Sequence, residues 1–218
     1  MKSNSMKTSS PTSHADEPQR WVGRQSSKRS RRDAILHTVA TLLRESRMST
    51  LTMDDIAESL GITKGNLYYY FRDKQDILYQ CHMRSMALSL DALARIQDQQ
   101  DSLTDPLHQL LIAHIEGIAS SPFGGALLAD LDSMHVNQRR FYIARRDAFE
   151  EGVRALIRLG IARGLYRETD PKIASLSLLG AINWLPRWYH PDGPLDPAGI
   201  ARSMADLLMR TLWINPPN

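Results

Sequence analysis

Apolar residues recur at helical spacing along most of this chain, and nowhere do they alternate with polar residues in the two-residue rhythm of a strand bounded by turn residues. Folds built on sheets are thereby excluded. Ile35, Val39 and Leu43 stand four apart, with Leu36, Ala40 and Leu42 beside them, making one apolar helical face. It begins near Arg31-Arg32-Asp33 and ends before Met48. The expected fold class is all-α.

Punctuation then marks two short helices. In Thr52-Met53-Asp54-Asp55 a hydroxyl that caps the backbone is followed three residues later by a carboxylate that caps in return. The helix begun there buries Ile56, Ala57 and Leu60, and Gly61 supplies the left-handed residue that closes such an element. Thr63 caps the next one, which runs through Tyr69 or Tyr70. Two short helices joined by a glycine-containing turn are the helix-turn-helix arrangement. Asp73 with Asp76 repeats the capping and opens a long helix to about Gln99. Gly and Pro divide the remainder into helices expected at roughly 104–119, 123–132, 136–163, 170–187 and 196–213.

At 218 residues the chain holds one compact unit plus something smaller. No run approaches the ~18 apolar residues of a membrane span, so a cytoplasmic protein without membrane contact is expected. Cys81 is the single cysteine, which excludes an intrachain disulfide framework; a buried small residue is expected there. Residues 1–74 carry 13 Lys and Arg against 8 Asp and Glu, whereas the rest of the chain is slightly acidic. The basic excess suggests a polyanionic partner for the N-terminal third alone.

The segment Gly61-Ile-Thr-Lys-Gly-Asn-Leu-Tyr-Tyr-Tyr-Phe71 has the chemistry for such a partner. A helix in the DNA major groove needs side chains that reach base edges and others that hold phosphates. Asn66 can pair bidentately with adenine and Lys64 can donate to guanine, with Gly65 between them removing bulk. Phenols at Tyr68, Tyr69 and Tyr70 can donate to phosphate, while Leu67 and Phe71, four apart, anchor the helix. Thr52, Arg72 and Lys74 are placed for phosphate. The plainer alternative makes the tyrosines core packing, but burying all three would strand three hydroxyls.

The run from Thr52 to Leu78, with the pattern extending back to Arg31, resembles the DNA-binding signature of the tetracycline-repressor (TetR) family. It departs from that pattern at Leu43, where Phe is usual, near Arg47 and Met48, where Gly is usual, and at Tyr70, where His is usual. The resemblance implies a homodimeric transcriptional regulator, usually a repressor, that binds a palindromic double-stranded operator and leaves it when a small molecule binds. It has an N-terminal three-helix helix-turn-helix domain and a larger C-terminal helical domain for ligand binding and dimerisation. It also implies DNA contacts at Thr52, Thr63, Lys64, Gly65, Asn66, Tyr68, Tyr69, Tyr70 and Lys74. The domains expected are a disordered basic arm at 1–27, the helix-turn-helix at 28–75 and the ligand and dimer domain at 76–214. Lys28 to Arg32 of the N-terminal region are further candidates for DNA contact.

Leu179 to Leu195, with Ile200 to Leu212, is similar to the subgroup that regulates fatty-acid and sterol breakdown, several members of which respond to acyl-coenzyme A thioesters. The stripes Ile173, Leu176, Gly180, Trp184 and Met204, Leu207, Leu208, Thr211, Leu212 could build a four-helix dimer interface; ordinary intrachain core is the alternative. Candidate pocket residues are Met83, Met86, Leu110, His114, Leu127, Leu131, Phe149, Val153, Trp184 and Arg187. Arg145, Arg146, Arg154, Arg158 and Arg187 could hold a coenzyme A headgroup, or simply form a solvated face. The histidines share no metal-binding spacing and are expected to be satisfied or solvent-exposed. No nucleophile elbow, phosphate loop or catalytic carboxylate pair is present, so neither an enzyme nor a cofactor is expected. The competing function is a DNA-binding dimer without a small-molecule inducer, controlled by a partner protein.

Overall fold

A computed structural model describes residues 29–42, 52–124 and 131–215. The arm expected at 1–27, Lys28, Leu43, Met48, Leu127 and most of the helix expected at 123–132 lie outside these. The chain divides into two units, residues 1–35 and 36–218, and the hydrophobic core lies in the second.

Eight helices are described: α1 (residues 29–42), α2 (Met53–Ser59), α3 (Lys64–Tyr70), α4 (Lys74–Gln99), α5 (Pro106–Ser120), α6 (Val136–Ala162), α7 (Pro171–Asn183) and α8 (Pro197–Met209). No strand occurs among the described residues, only an isolated antiparallel bridge between Tyr166 and Trp213. The all-α expectation holds.

The apolar patterns decide the packing. α5 is apolar on most of its surface, burying Leu107, Leu110, Leu111, Ile115 and Ile118, and so takes the centre of the body against α4, α6 and α8. α4 and α6 approach closely because position 152 is glycine: a Cβ there would overlap the Leu93 side chain. At the far end Asp105 caps α5 by accepting from the His108 N–H at 3.0 Å, and its carboxylate also accepts from the Tyr166 hydroxyl and, at 2.7 Å, from the Trp213 indole N–H. One carboxylate thus ties together the start of α5, the turn after α6 and the segment after α8.

Three boundaries differ from the spacing-based expectation. α5 starts at Pro106, because Asp105 is its cap and proline suits the first helical turn. α7 stops at Asn183, and a 3-10 turn at Leu185–Arg187 replaces the expected last turn, since Pro186 cannot continue the backbone ladder. α8 ends at Met209, after which Leu212 and Trp213 fold back into the core.

Candidate nucleic-acid interface and effector cavity

The helix-turn-helix is built by its caps. The Thr52 N–H donates to Asp55 Oδ2 at 2.8 Å and the Asp55 N–H returns a bond to Thr52 Oγ1 at 3.2 Å, so α2 opens on a reciprocal capping box. It closes at Gly61, whose φ is +62°. The Gly61 N–H donates to the Glu58 carbonyl and the Ile62 N–H to the Ala57 carbonyl, each at 3.0 Å, the paired bonds of a Schellman turn. Thr63 then caps α3 by accepting from the Asn66 N–H at 3.2 Å.

α3 divides cleanly into two faces. Leu67 and, at its C-cap, Phe71 are fully buried. Lys64, Gly65, Asn66, Tyr68 and Tyr69 are exposed and Tyr70 is half-buried, with the Tyr69 and Tyr70 rings edge-to-face at 5.0 Å. Lys64 Nζ lies 2.7 Å from Asp54 Oδ2 on α2, and this bond holds its ammonium above the ordinary lysine range. An ammonium so held is drawn toward the start of α2. Thr52 is exposed and Lys74 half-buried at the start of α4.

That start of α4 is pinned to the start of α6. Asp73 caps α4 by accepting from the Asp76 N–H at 2.8 Å, and also accepts from Arg72 Nε at 3.1 Å and His135 Nε2 at 2.9 Å. Burial alone would raise the Asp73 carboxyl, but these donors outweigh it and hold the group below the usual carboxylate range. Because a carboxylate only accepts, His135 donates through Nε2. Gln138 Nε2 adds a bond to Asp76 Oδ1 at 3.0 Å.

Inside the body, α4, α5, α6 and α7 enclose a cavity of about 50 Å³. α4 lines it with Ser85, Met86 and Ser89, α5 with His114, and α6 with Phe149 and, at its rim, the exposed Arg146. Three of the candidate pocket residues, Met86, His114 and Phe149, therefore meet around one space. Leu110 and Val153 are fully buried in the core, and Met83 and Leu131 are half-buried against it. Trp184 and Arg187 lie on the outside, with the guanidinium 5.3 Å above the indole ring. Among the candidate arginines, Arg154 is held by Glu150 at 2.6 Å, Arg158 by Glu151 at 3.0 Å and Arg146 by Asp147 at 3.0 Å; of these Arg146 lines the cavity.

The histidines correct an expectation. His108 and His135 do have carboxylate partners, Asp206 at 2.7 Å and Asp73, but His82 and His114 are neither satisfied nor exposed. Both ring nitrogens of His82 and Nδ1 of His114 are buried without a hydrogen-bond partner, and burial lowers both side chains to about 4, so they are neutral. His82 packs edge-on against Tyr142, and His114 lies 4.7 Å from the Phe149 ring. Sequence reasoning missed His82, Ser85 and Ser89. Their signal was a row of polar residues at i, i+3 and i+7 on one helix, the spacing normally read for apolar faces.

The α7 stripe faces outward: Ile173, Leu176, Gly180 and Trp184 are all exposed, and α8 adds Leu207 at 67%. The α8 stripe is divided instead. Met204 and Leu208 lean on the core and Leu212 is buried in it, leaving Leu207 and Thr211 outward.

A capped helix-turn-helix with an exposed polar recognition face, carried on an all-α body, defines a helix-turn-helix transcriptional regulator. The chain belongs to the tetracycline-repressor family. Residues 35–81 match the bacterial regulatory proteins of the tetR family, and residues 78–212 match the tetracyclin repressor-like C-terminal domain. The chain is 30% identical over 173 residues to the HTH-type transcriptional repressor KstR2 of Mycobacterium tuberculosis, covering 76% of this chain and 84% of that protein. Among solved structures it is similar to the TetR family regulator PfmR of Thermus thermophilus, at 31% identity and a TM-score of 0.73 over 81% of this chain and 97% of the other. It is also similar to AibR in complex with isovaleryl coenzyme A and operator DNA, at 26% identity and a TM-score of 0.68 over the same shares. These proteins are transcriptional regulators, and the chain is not an enzyme.

Proposed function

We propose that the chain is a cytoplasmic repressor that binds a palindromic operator as a homodimer and leaves it when a coenzyme A thioester enters the cavity of the helical body. The observation that carries this reading is the cavity lined by both apolar and polar side chains, with Arg146 at its rim, in a chain similar to a regulator solved with isovaleryl coenzyme A and operator DNA. A guanidinium there suits the phosphates of a coenzyme A headgroup, with the acyl end directed inward. A dimer controlled only by a partner protein has no use for unpartnered buried polar groups, so the cavity favours the ligand-responsive reading.

The dimer is supported by the outward stripe of Ile173, Leu176 and Trp184, with Leu207 of α8. Added volume at Gly180 would meet nothing within 4 Å, which leaves that point open to close helix approach. Two-fold symmetry then matches a palindrome, with half-sites about one turn of DNA apart or a multiple of it. The proposed domains are the basic arm at 1–27, the reading head at 28–75 and the effector and dimer domain at 76–214.

Release follows from the pinned helix ends. A ligand between α4 and α6 biases how they lie together, and the bonds from His135 to Asp73 and from Gln138 to Asp76 carry that bias to the start of α4, beside α3. The reading is tested by binding the full chain to a labelled duplex bearing a palindrome from next to its own gene. Lys74→Ala is expected to weaken binding across sequences and to lower the salt slope by about 1. Asn66→Ala is expected to relax preference at one base position, by about 1–3 kcal/mol. Wild-type binding by Lys74→Ala and Tyr69→Ala alike would contradict the assignment of α3.

A further inference from the structure

Polar side chains interrupt the largely apolar lining of the cavity. Ser85 and Ser89, one turn apart on α4, line it beside Met86, and His82 is buried one turn before them on the same helix. His114 completes the polar lining from α5, and its Nδ1 is buried without a partner. Ser89 Oγ has only a long bond to the Ser85 carbonyl, at 3.4 Å. An orphaned buried donor or acceptor costs about 1–3 kcal/mol, so a fold that keeps one on a residue lining a cavity gains when something completes it.

The charge pattern narrows what that is. Neutral imidazoles each present one donor and one acceptor, and serine hydroxyls present both. The arginine of the lining, Arg146, stands at the rim and not at the depth. A carboxylate pushed inside would therefore be a buried charge without a cation, which is strongly unfavourable. An uncharged oxygen is matched instead. Size points the same way: about 50 Å³ holds a few water-sized groups and no extended hydrocarbon chain.

We propose that the effector is a short acyl thioester whose buried end carries an uncharged oxygen, a hydroxyl or a ketone, bound by His114 with Ser85 and Ser89 beneath it. The proposal rests on the coenzyme A reading above and specifies the part of the ligand that reading leaves open. Saturated short acyl groups leave the imidazole orphaned, and long ones meet the closed end of the cavity.

Calorimetric titration of the full chain with butyryl, 3-hydroxybutyryl and dodecanoyl coenzyme A tests it. The expected result is that the 3-hydroxy thioester binds at least tenfold more tightly than butyryl coenzyme A, with the dodecanoyl thioester weakest. In His114→Phe that ratio is expected to fall toward one, and Ser89→Ala to reduce it by a smaller factor, which keeps the test available should the His114 variant fold poorly. Butyryl or dodecanoyl coenzyme A binding as tightly as the hydroxylated thioester overturns the proposal and leaves the thioester reading standing. Absence of binding by all three overturns both.

Discussion

His82 and His114 are buried bases, and that makes stability depend on pH in a stated direction. Both stand near 4 in the folded chain against an ordinary value of 6.5, so the unfolded state takes up protons first as pH falls. Stability is fully present above about pH 6.5 and is lost between there and about pH 4, at about 1.4 kcal/mol per pH unit for each histidine. Thermal melts are expected to be flat from pH 7 to 8 and to fall steadily from pH 6 to 5, with the slope roughly halved in His114→Phe. A midpoint independent of pH across that range would show that these rings find partners or water. Asp105 supports a second expectation. Asp105→Ala removes the α5 cap and leaves the Tyr166 hydroxyl and Trp213 indole unpaired, so chemical denaturation should show a loss of about 2–4 kcal/mol. The sequence suggested His114 as a pocket residue but not its unsatisfied state, because a histidine's partners come from other helices and leave no mark in its own neighbourhood.

At the scale of elements, local chemistry made the reading head legible. The Thr52–Asp55 box, the Gly61 turn, the Thr63 and Asp73 caps and the Leu67–Phe71 anchor each depend on residues within a few positions of one another, and each is present. Where ends depended on more than the apolar rhythm, as at Pro186, the limits moved by a few residues. Lys64 shows the boundary of such reasoning: its partner Asp54 lies ten residues away on another helix, and only the fold brings them to 2.7 Å. The anchor is also the place to break α3 without touching its exposed face. Leu67→Ala should destabilise the chain by about 2–5 kcal/mol by opening a cavity under the recognition helix, measured by denaturant unfolding. Unchanged stability would mean that α3 is not seated on Leu67.

For the molecule as a whole, the proposed assembly rests on the outward stripe of α7 and α8. The helical spacing of Ile173, Leu176, Gly180 and Trp184 was legible, but whether the stripe faced inward or outward was not, since core and interface use the same residue types. Its exposure supports the dimer: Leu176→Asp with Leu207→Asp should run as a monomer in light scattering with size exclusion, and its operator affinity should drop at least tenfold. A dimer of unchanged mass would place the interface elsewhere. The central claim joins this assembly to the cavity, and fluorescence anisotropy of a labelled operator duplex held by the full chain tests it most directly. Adding 3-hydroxybutyryl coenzyme A should return the anisotropy to that of free DNA, with free coenzyme A having no such effect. Retention of the duplex at saturating thioester, or tighter binding, would contradict the account.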